Sequence, residues 1–360
     1  MLFMRHVIEF FRENLLRRNS FLYILKAAVL FYAVILGISL MKEGIFSAES
    51  DFFREAFAFV STAPKAFGLG WLLSYFTLSG SPIAAIAIAF QDAGLLSSLN
   101  SLAAILGSRI GAVSIAFALA LAAILSGEKI KHSLEFGTMA FLVTLILSLS
   151  ALFFGFIILF LGFDIDAVQV PAISNGTSIP FISPVVSFIY PFLGSFFSFI
   201  FGFILLMFSL KKLDSMLRLH PHKTMHHFLS FFEKSILSFA AGLALSAVFF
   251  SVSVSFAVIM PLYISGQIER KQLVPFILGA SIGTFSDTLI IGLLTANPAV
   301  ASTVWIALIG TSIAAAALMV NEKKFISFIE SKTDLILKNE RNLVLFLFSL
   351  VIIPSILIIL

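Results

Sequence analysis

The chain contains no cysteine, which removes disulfides, thiolate catalysis and Cys-ligated metal centres from consideration. Charge is scarce as well: only 12% of the 360 residues are Asp, Glu, Lys or Arg. The patterns of a phosphate-cradling Gly-rich loop, a metalloprotease helix and a nucleophile elbow are missing, so no enzyme and no nucleotide site is expected. The net charge of +4 comes from scattered loops rather than one soluble face, which gives no argument for nucleic acid. Four Arg and two Glu run through residues 1–19, which is not the layout of a cleaved signal peptide.

What is present is apolar. Hydrophobic residues make up 60% of the chain, 43 of them Phe, and the mean hydropathy is +1.09. A soluble domain cannot hide that much apolar surface, so an all-α polytopic membrane protein is expected.

The chain also writes one stretch twice. Adding 172 to each position maps Gly70, Ser74, Ser79 and Ser81 onto Gly242, Ser246, Ser251 and Ser253. The same offset maps Gly94, Gly107, Gly111 and Ser114 onto Gly266, Gly279, Gly283 and Ser286. Shared apolar letters would mean little here. Gly and Ser set backbone geometry and supply polar groups, so their recurrence at one offset marks an internal repeat.

Five regions follow. Residues 1–56 hold an amphipathic surface helix over about 2–16, a first span near 20–40 and a polar loop at 42–55. The first repeat occupies 57–126. Residues 127–228 supply spans at 136–162 and 181–209 and a basic loop. The second repeat fills 229–297. Residues 298–360 add a span at 299–319, a charged segment at 321–342 and a last span.

Loop charges orient these regions. Lys and Arg number four in 1–19, two in 127–135, four in 211–228 and five in 321–342, against two in 41–56 and none in 163–180. The positive-inside bias makes the first set cytoplasmic, including the N-terminus, in a cell membrane. The first repeat then begins outside and ends inside, and the second does the reverse. Each copy reads as a re-entrant or broken-helix hairpin plus a crossing helix, in two inverted-topology repeats with flanking spans. The turn 266–272 is basic and its counterpart 94–101 is not, as inversion requires.

Inverted repeats with interrupted helices are how many secondary transporters build a midplane site. The interruptions are expected at 77–82 and 251–255. Backbone freed at that depth persists only where protein, water or a ligand satisfies it, and half-helix N-termini favour an anion. Ser79, Ser81, Ser251 and Ser253 supply hydroxyls there, and Gly80 admits a ligand close to the backbone. Tight helix packing is the alternative use of these small residues, and the preferred one for Gly107 and Gly111.

Two ionisable residues fall inside spans, Arg109 and Asp287. Arg109 could bind an oxyanion bidentately. Asp287, with Thr284, Ser286 and Thr288 beside it, could ligate a sodium ion or carry a proton. The alternative is a structural ion pair between the two copies. Lys26 and Lys65 are expected to snorkel to an interface. His220, His222, His226 and His227 read as a solvated loop, and Asn175-Gly-Thr matters only where secreted loops are glycosylated.

These segments resemble the type II sodium-dependent phosphate cotransporter family, where Gln-Ser-Ser-Ser precedes Gly-Ala-Asn-Ile-Gly-Thr-Thr in each of two inverted repeats. Here the first motif reads Leu78-Ser79-Gly80-Ser81 and Phe250-Ser251-Val252-Ser253. The second reads Gly107-Ser108-Arg109-Ile110-Gly111 and Gly279-Ala280-Ser281-Ile282-Gly283-Thr284. Both Gln are lost, and Arg109 and Ser281 stand where the family has Asn. The resemblance implies phosphate or a related small anion, including at Ser281, with sodium as the coupling ion. Expected partners are that anion, sodium and the lipid bilayer, with a homodimer as an option. The alternatives are a diverged scaffold or assembly subunit of the same fold, a transporter of another small solute, and a passive channel.

Overall fold

In the computed structural model, residues 20–46, 59–127, 130–162, 181–216, 232, 234–295 and 297–360 are described. The segment 2–16, the His residues at 220–227 and Asn175 lie outside them. Every element among the described residues is helical, and seven helices or helix pairs are long and apolar enough to cross a membrane. The protein is thus an all-α, multi-pass membrane protein.

In chain order the helices are α1 (Ser20–Phe46), α2 (Ala63–Thr77), α3 (Ser81–Asp92), α4 (Ser98–Ala112), α5 (Ile115–Leu125), α6 (Ile130–Phe160) and α7 (Ser183–Met216). Then come α8 (Ser235–Phe249), α9 (Val252–Ile264), α10 (Arg270–Gly283), α11 (Phe285–Leu294), α12 (Pro298–Val320), α13 (Glu322–Leu337) and α14 (Glu340–Ile359). One expectation is corrected. The loop expected from residue 42 is helical through Phe46, because apolar residues continue past Lys42 and Glu43. The charged segment at 321–342 is largely α13, which buries Phe325, Ile329 and Thr333 at four-residue spacing and presents its Lys residues outward.

The repeat is visible in the backbone. Helices α2 to α5 recur as α8 to α11 with nearly the same lengths at the offset of 172. Both first helices end on a left-handed residue, Leu78 at φ 50° and Phe250 at φ 53°. Both hairpin turns contain a positive-φ glycine, Gly94 and Gly266. The packing repeats as well. A Cβ on Gly107 would run into the Phe67 carbonyl, and one on Gly279 into the equivalent Phe239 carbonyl. Gly111 abuts the Trp71 carbonyl and Ser74, and Gly283 abuts Leu243 and Ser246, again equivalent pairs. Small residues let the backbones of α2 and α4, and of α8 and α10, touch directly. The Gly recurrence therefore encodes one helix-pair geometry used twice.

Long helices surround this body. Helix α6 packs against α4, α5, α9, α10 and α12, while α14 and α7 expose Phe188, Phe192, Phe197 and Phe348 as lipid-facing surface. Helices α6 and α12 are antiparallel: Gly155 meets Ile306, and Gly310 meets Ala151.

Polar contacts gather at the two ends of that pair. Near the start of α12, Asp92 pairs with Lys42 at 2.6 Å and accepts from Asn297 at 3.0 Å. Beside it, Gln91 donates to Thr303 at 2.8 Å. At the other end, beyond the C-terminus of α12, Arg270 pairs with Glu135 of α6 and Asp334 of α13. The Arg270 guanidinium holds the exposed Asp334 carboxyl below its ordinary pKa. The turn after α3 thus sits at one end of α12 and the turn after α9 at the other, about 34 Å away along a 23-residue helix. Inversion of the repeats requires this placement.

Single cysteines at Ser98 and Lys271 in this Cys-free chain should therefore label from opposite sides of the membrane; labelling of both from one side contradicts the arrangement. Gly279→Ala forces a Cβ into a backbone carbonyl and should lower stability by about 1–3 kcal/mol, read by thermal unfolding in detergent.

Candidate functional site

The two helix breaks are brought together. The first is short: α2 ends at Thr77, α3 starts at Ser81, and Gly80 closes on Ser108 of α4. Its freed backbone is satisfied locally, since the Thr77 hydroxyl donates to the Ser79 carbonyl at 2.6 Å. The second break is shorter than expected, covering only Phe250 and Ser251, so that Ser253 and Ser255 lie inside α9. There the Ser251 N–H donates to the Ser246 carbonyl at 3.3 Å, and the Ser246 and Ser255 hydroxyls bond at 2.7 Å. A cap residue with φ near +50° is strained when it carries a side chain. Leu78 and Phe250 are the only such residues among those described, and they occupy the positions where the resembled family has Gln.

Beside the breaks lie two helix junctions. Arg109 stands in the last turn of α4 and Asp287 in the first turn of α11. Each position suits its charge, because a helix C-terminus favours a cation and an N-terminus an anion. Both side chains are buried, 7% and 5% exposed, and an Arg109 Nη approaches the Asp287 carboxylate at 3.7 Å. Three more groups complete the cluster. Ser81 donates to Asp287, Thr288 donates to Asp287 at 2.7 Å, and Arg109 donates to the Thr288 hydroxyl. The Phe285 ring lies 4.5 Å from the guanidinium carbon, a cation–π contact. First and second repeats are thus tied through Ser81, Arg109, Asp287 and Thr288.

A narrow gap adjoins this cluster. It is lined by Ser79, Gly80, Ser81 and Arg109 from the first repeat and by Ser251, Ser253, Ser281 and Thr284 from the second. The centres of water molecules can range over only ≈ 20 Å³ of it, about one water's worth. Every anion-site residue expected from the sequence therefore reaches one gap. Of those expected at the cation, Asp287 and Thr288 join the cluster and Thr284 lines the gap. Ser286 does not: its hydroxyl donates to the Ala247 and Gly283 carbonyls and fastens α11 to α8. Two contributors escaped sequence reasoning. Phe285 stacks under Arg109, and Thr144 enters from α6, outside both repeats. The signal for Thr144 was a stripe of small and polar residues along α6, Gly137, Thr144, Ser148 and Gly155, all buried.

A helical membrane body that brings two duplicated helix breaks and a buried charge pair to one internal gap is that of a membrane transporter. Residues 33–166 match the Na+/Pi-cotransporter family model, so this stretch is similar to that family. The match holds the whole first repeat with Ser79, Ser81 and Arg109, together with α6 and Thr144. No curated protein and no solved structure matches the chain.

The Arg109–Asp287 contact makes a specific demand on stability. Arg109→Gln or Asp287→Asn alone leaves one buried charge without its partner and should cost about 3–5 kcal/mol, whereas the double variant should recover much of that loss. Thermal unfolding of the four proteins in detergent measures the coupling, and additive losses would mean that the two charges act independently.

Proposed function

We propose that the protein is a secondary active transporter that carries inorganic phosphate, or a related small oxyanion, together with sodium by alternating access. One observation supports this reading above the others: a guanidinium buried between two duplicated helix breaks, opposed by a carboxylate from the other repeat. Arg109 is the anion-binding group, assisted by the hydroxyls of Ser79, Ser81, Ser251, Ser253 and Ser281 and the backbone at Gly80. Asp287 is the cation-binding group, with Thr284 and Thr288 supplying further oxygens.

Coupling follows from competition. While Asp287 holds Arg109, an incoming anion must displace a carboxylate already in place. A sodium ion at Asp287 offsets the carboxylate charge, which loosens its hold on Arg109 and favours the anion. By linkage, bound anion favours sodium to the same degree. The gap has room for about one water, so loading requires the repeats to part. Basic loops at the cytoplasmic face of a plasma membrane would set the direction of approach. One observation favours a second reading, a non-transporting assembly subunit of the same fold: Leu78 and Phe250 carry no amide where the resembled family has Gln.

Uptake of labelled phosphate into proteoliposomes decides between these readings. An inward sodium gradient should drive accumulation above equilibrium, and Asp287→Asn should abolish the sodium dependence. Equal uptake with potassium in place of sodium would remove the coupling. No uptake of phosphate or of any oxyanion tried would leave the assembly-subunit reading.

A further inference from the structure

Two buried polar atoms of residues that line the gap have no hydrogen-bond partner. One is Nε of Arg109, whose Nη is engaged by Thr288 and faces Asp287. The other is Oγ1 of Thr144, a residue only 1% exposed. Both residues line the same gap. Buried polar groups are nearly always paired in folded proteins, so two orphans beside one gap call for a ligand. The sequence offers no packing reason for a hydroxyl at 144, because an apolar side chain of the same shape would avoid burying an unpaired oxygen.

We propose that Thr144 of α6 is a ligand of the transported oxyanion, completing with Arg109 Nε a pair of donors that two different oxygens of a tetrahedral anion accept. This rests on the transport reading above and extends it beyond the duplicated helices. The guanidinium supplies a charge-assisted bond through Nε while its other edge remains near Asp287. The Thr144 hydroxyl donates to a second anion oxygen, or accepts from one that is protonated. Both repeats pack on α6, so a contact from α6 fixes the anion against an element that belongs to neither. Site formation then depends on how the first repeat lies against α6 as well as on how the two repeats meet.

The test uses the full-length protein in detergent with inorganic phosphate as the probe, measuring affinity by equilibrium dialysis and stability by thermal unfolding. Thr144→Val keeps the shape and removes the hydroxyl. It should weaken phosphate binding about two- to tenfold while leaving the melting temperature equal or higher, because an unpaired buried group has gone. Thr144→Ser keeps the hydroxyl and should bind within about twofold of the parent. Unchanged affinity in Thr144→Val, with the parent protein binding phosphate, means that the hydroxyl serves only a water and overturns this inference alone. Equal losses in the Val and Ser variants would assign the effect to packing at this position rather than to the hydroxyl and overturn it as well. A parent protein that binds no phosphate overturns this inference, and with it phosphate as the substrate in the transport reading.

Discussion

Charge inside an apolar body is costly unless it meets its complement, and here the complement comes from the other half of the molecule. Arg109 and Asp287 lie 178 positions apart in the numbering yet share a cluster with Ser81 and Thr288. For the pair to form, α4 and α11 must present their junctions at one depth. The first break must deliver Ser81 to the carboxylate, and Phe285 must lie against the guanidinium. Each requirement fixes a different element. The charge pair therefore sets the register between the repeats, which apolar contacts alone would leave free to slide.

Within each repeat another constraint sets the geometry. Glycines at 70, 107 and 111 and at 242, 279 and 283 bring backbones into direct contact, so the α2–α4 and α8–α10 pairs have almost no choice of spacing. The lipid environment supplies little hydrophobic drive for helices to associate, so close van der Waals approach carries much of the load. The breaks at Leu78 and Phe250 sit one helical turn past Ser74 and Ser246, which are themselves held against Gly111 and Gly283. Rigid pairs thus place the irregular backbone.

Much of this was legible in the sequence, because Gly and Ser are informative where apolar letters are not. The offset of 172 marked the equivalent segments of the two repeats, and the loop charges assigned the two turns to opposite ends. The convergence of the serines on a gap followed from the placement of the breaks. What sequence could not give is which neighbour a side chain faces. Ser286 sits beside Asp287 in sequence, yet one helical step turns it toward the α8 backbone. Thr144 was harder to place: it lies in neither repeat, and the stripe of small and polar residues on α6 cannot say which of its positions reaches the gap. Helix α1 runs on to Phe46 because Lys42 and Glu43 lie within a helical run that the charges do not break. Asp92, at the end of α3, supplies the anchor for Lys42 that the run itself cannot show.

The scaffold is duplicated, but its charges are not. At the matching offset Arg109 faces Ser281 and Asp287 faces Ile115, so a single ion pair serves two otherwise equivalent halves. Swapping the roles of the repeats does not return the molecule to an equivalent arrangement, as it would if their sequences were identical. Any two conformations related by that swap must differ in energy, and the difference is concentrated at the Arg109–Asp287 pair, to which each repeat gives one charge. In this chain the two arrangements are inequivalent before any ligand binds.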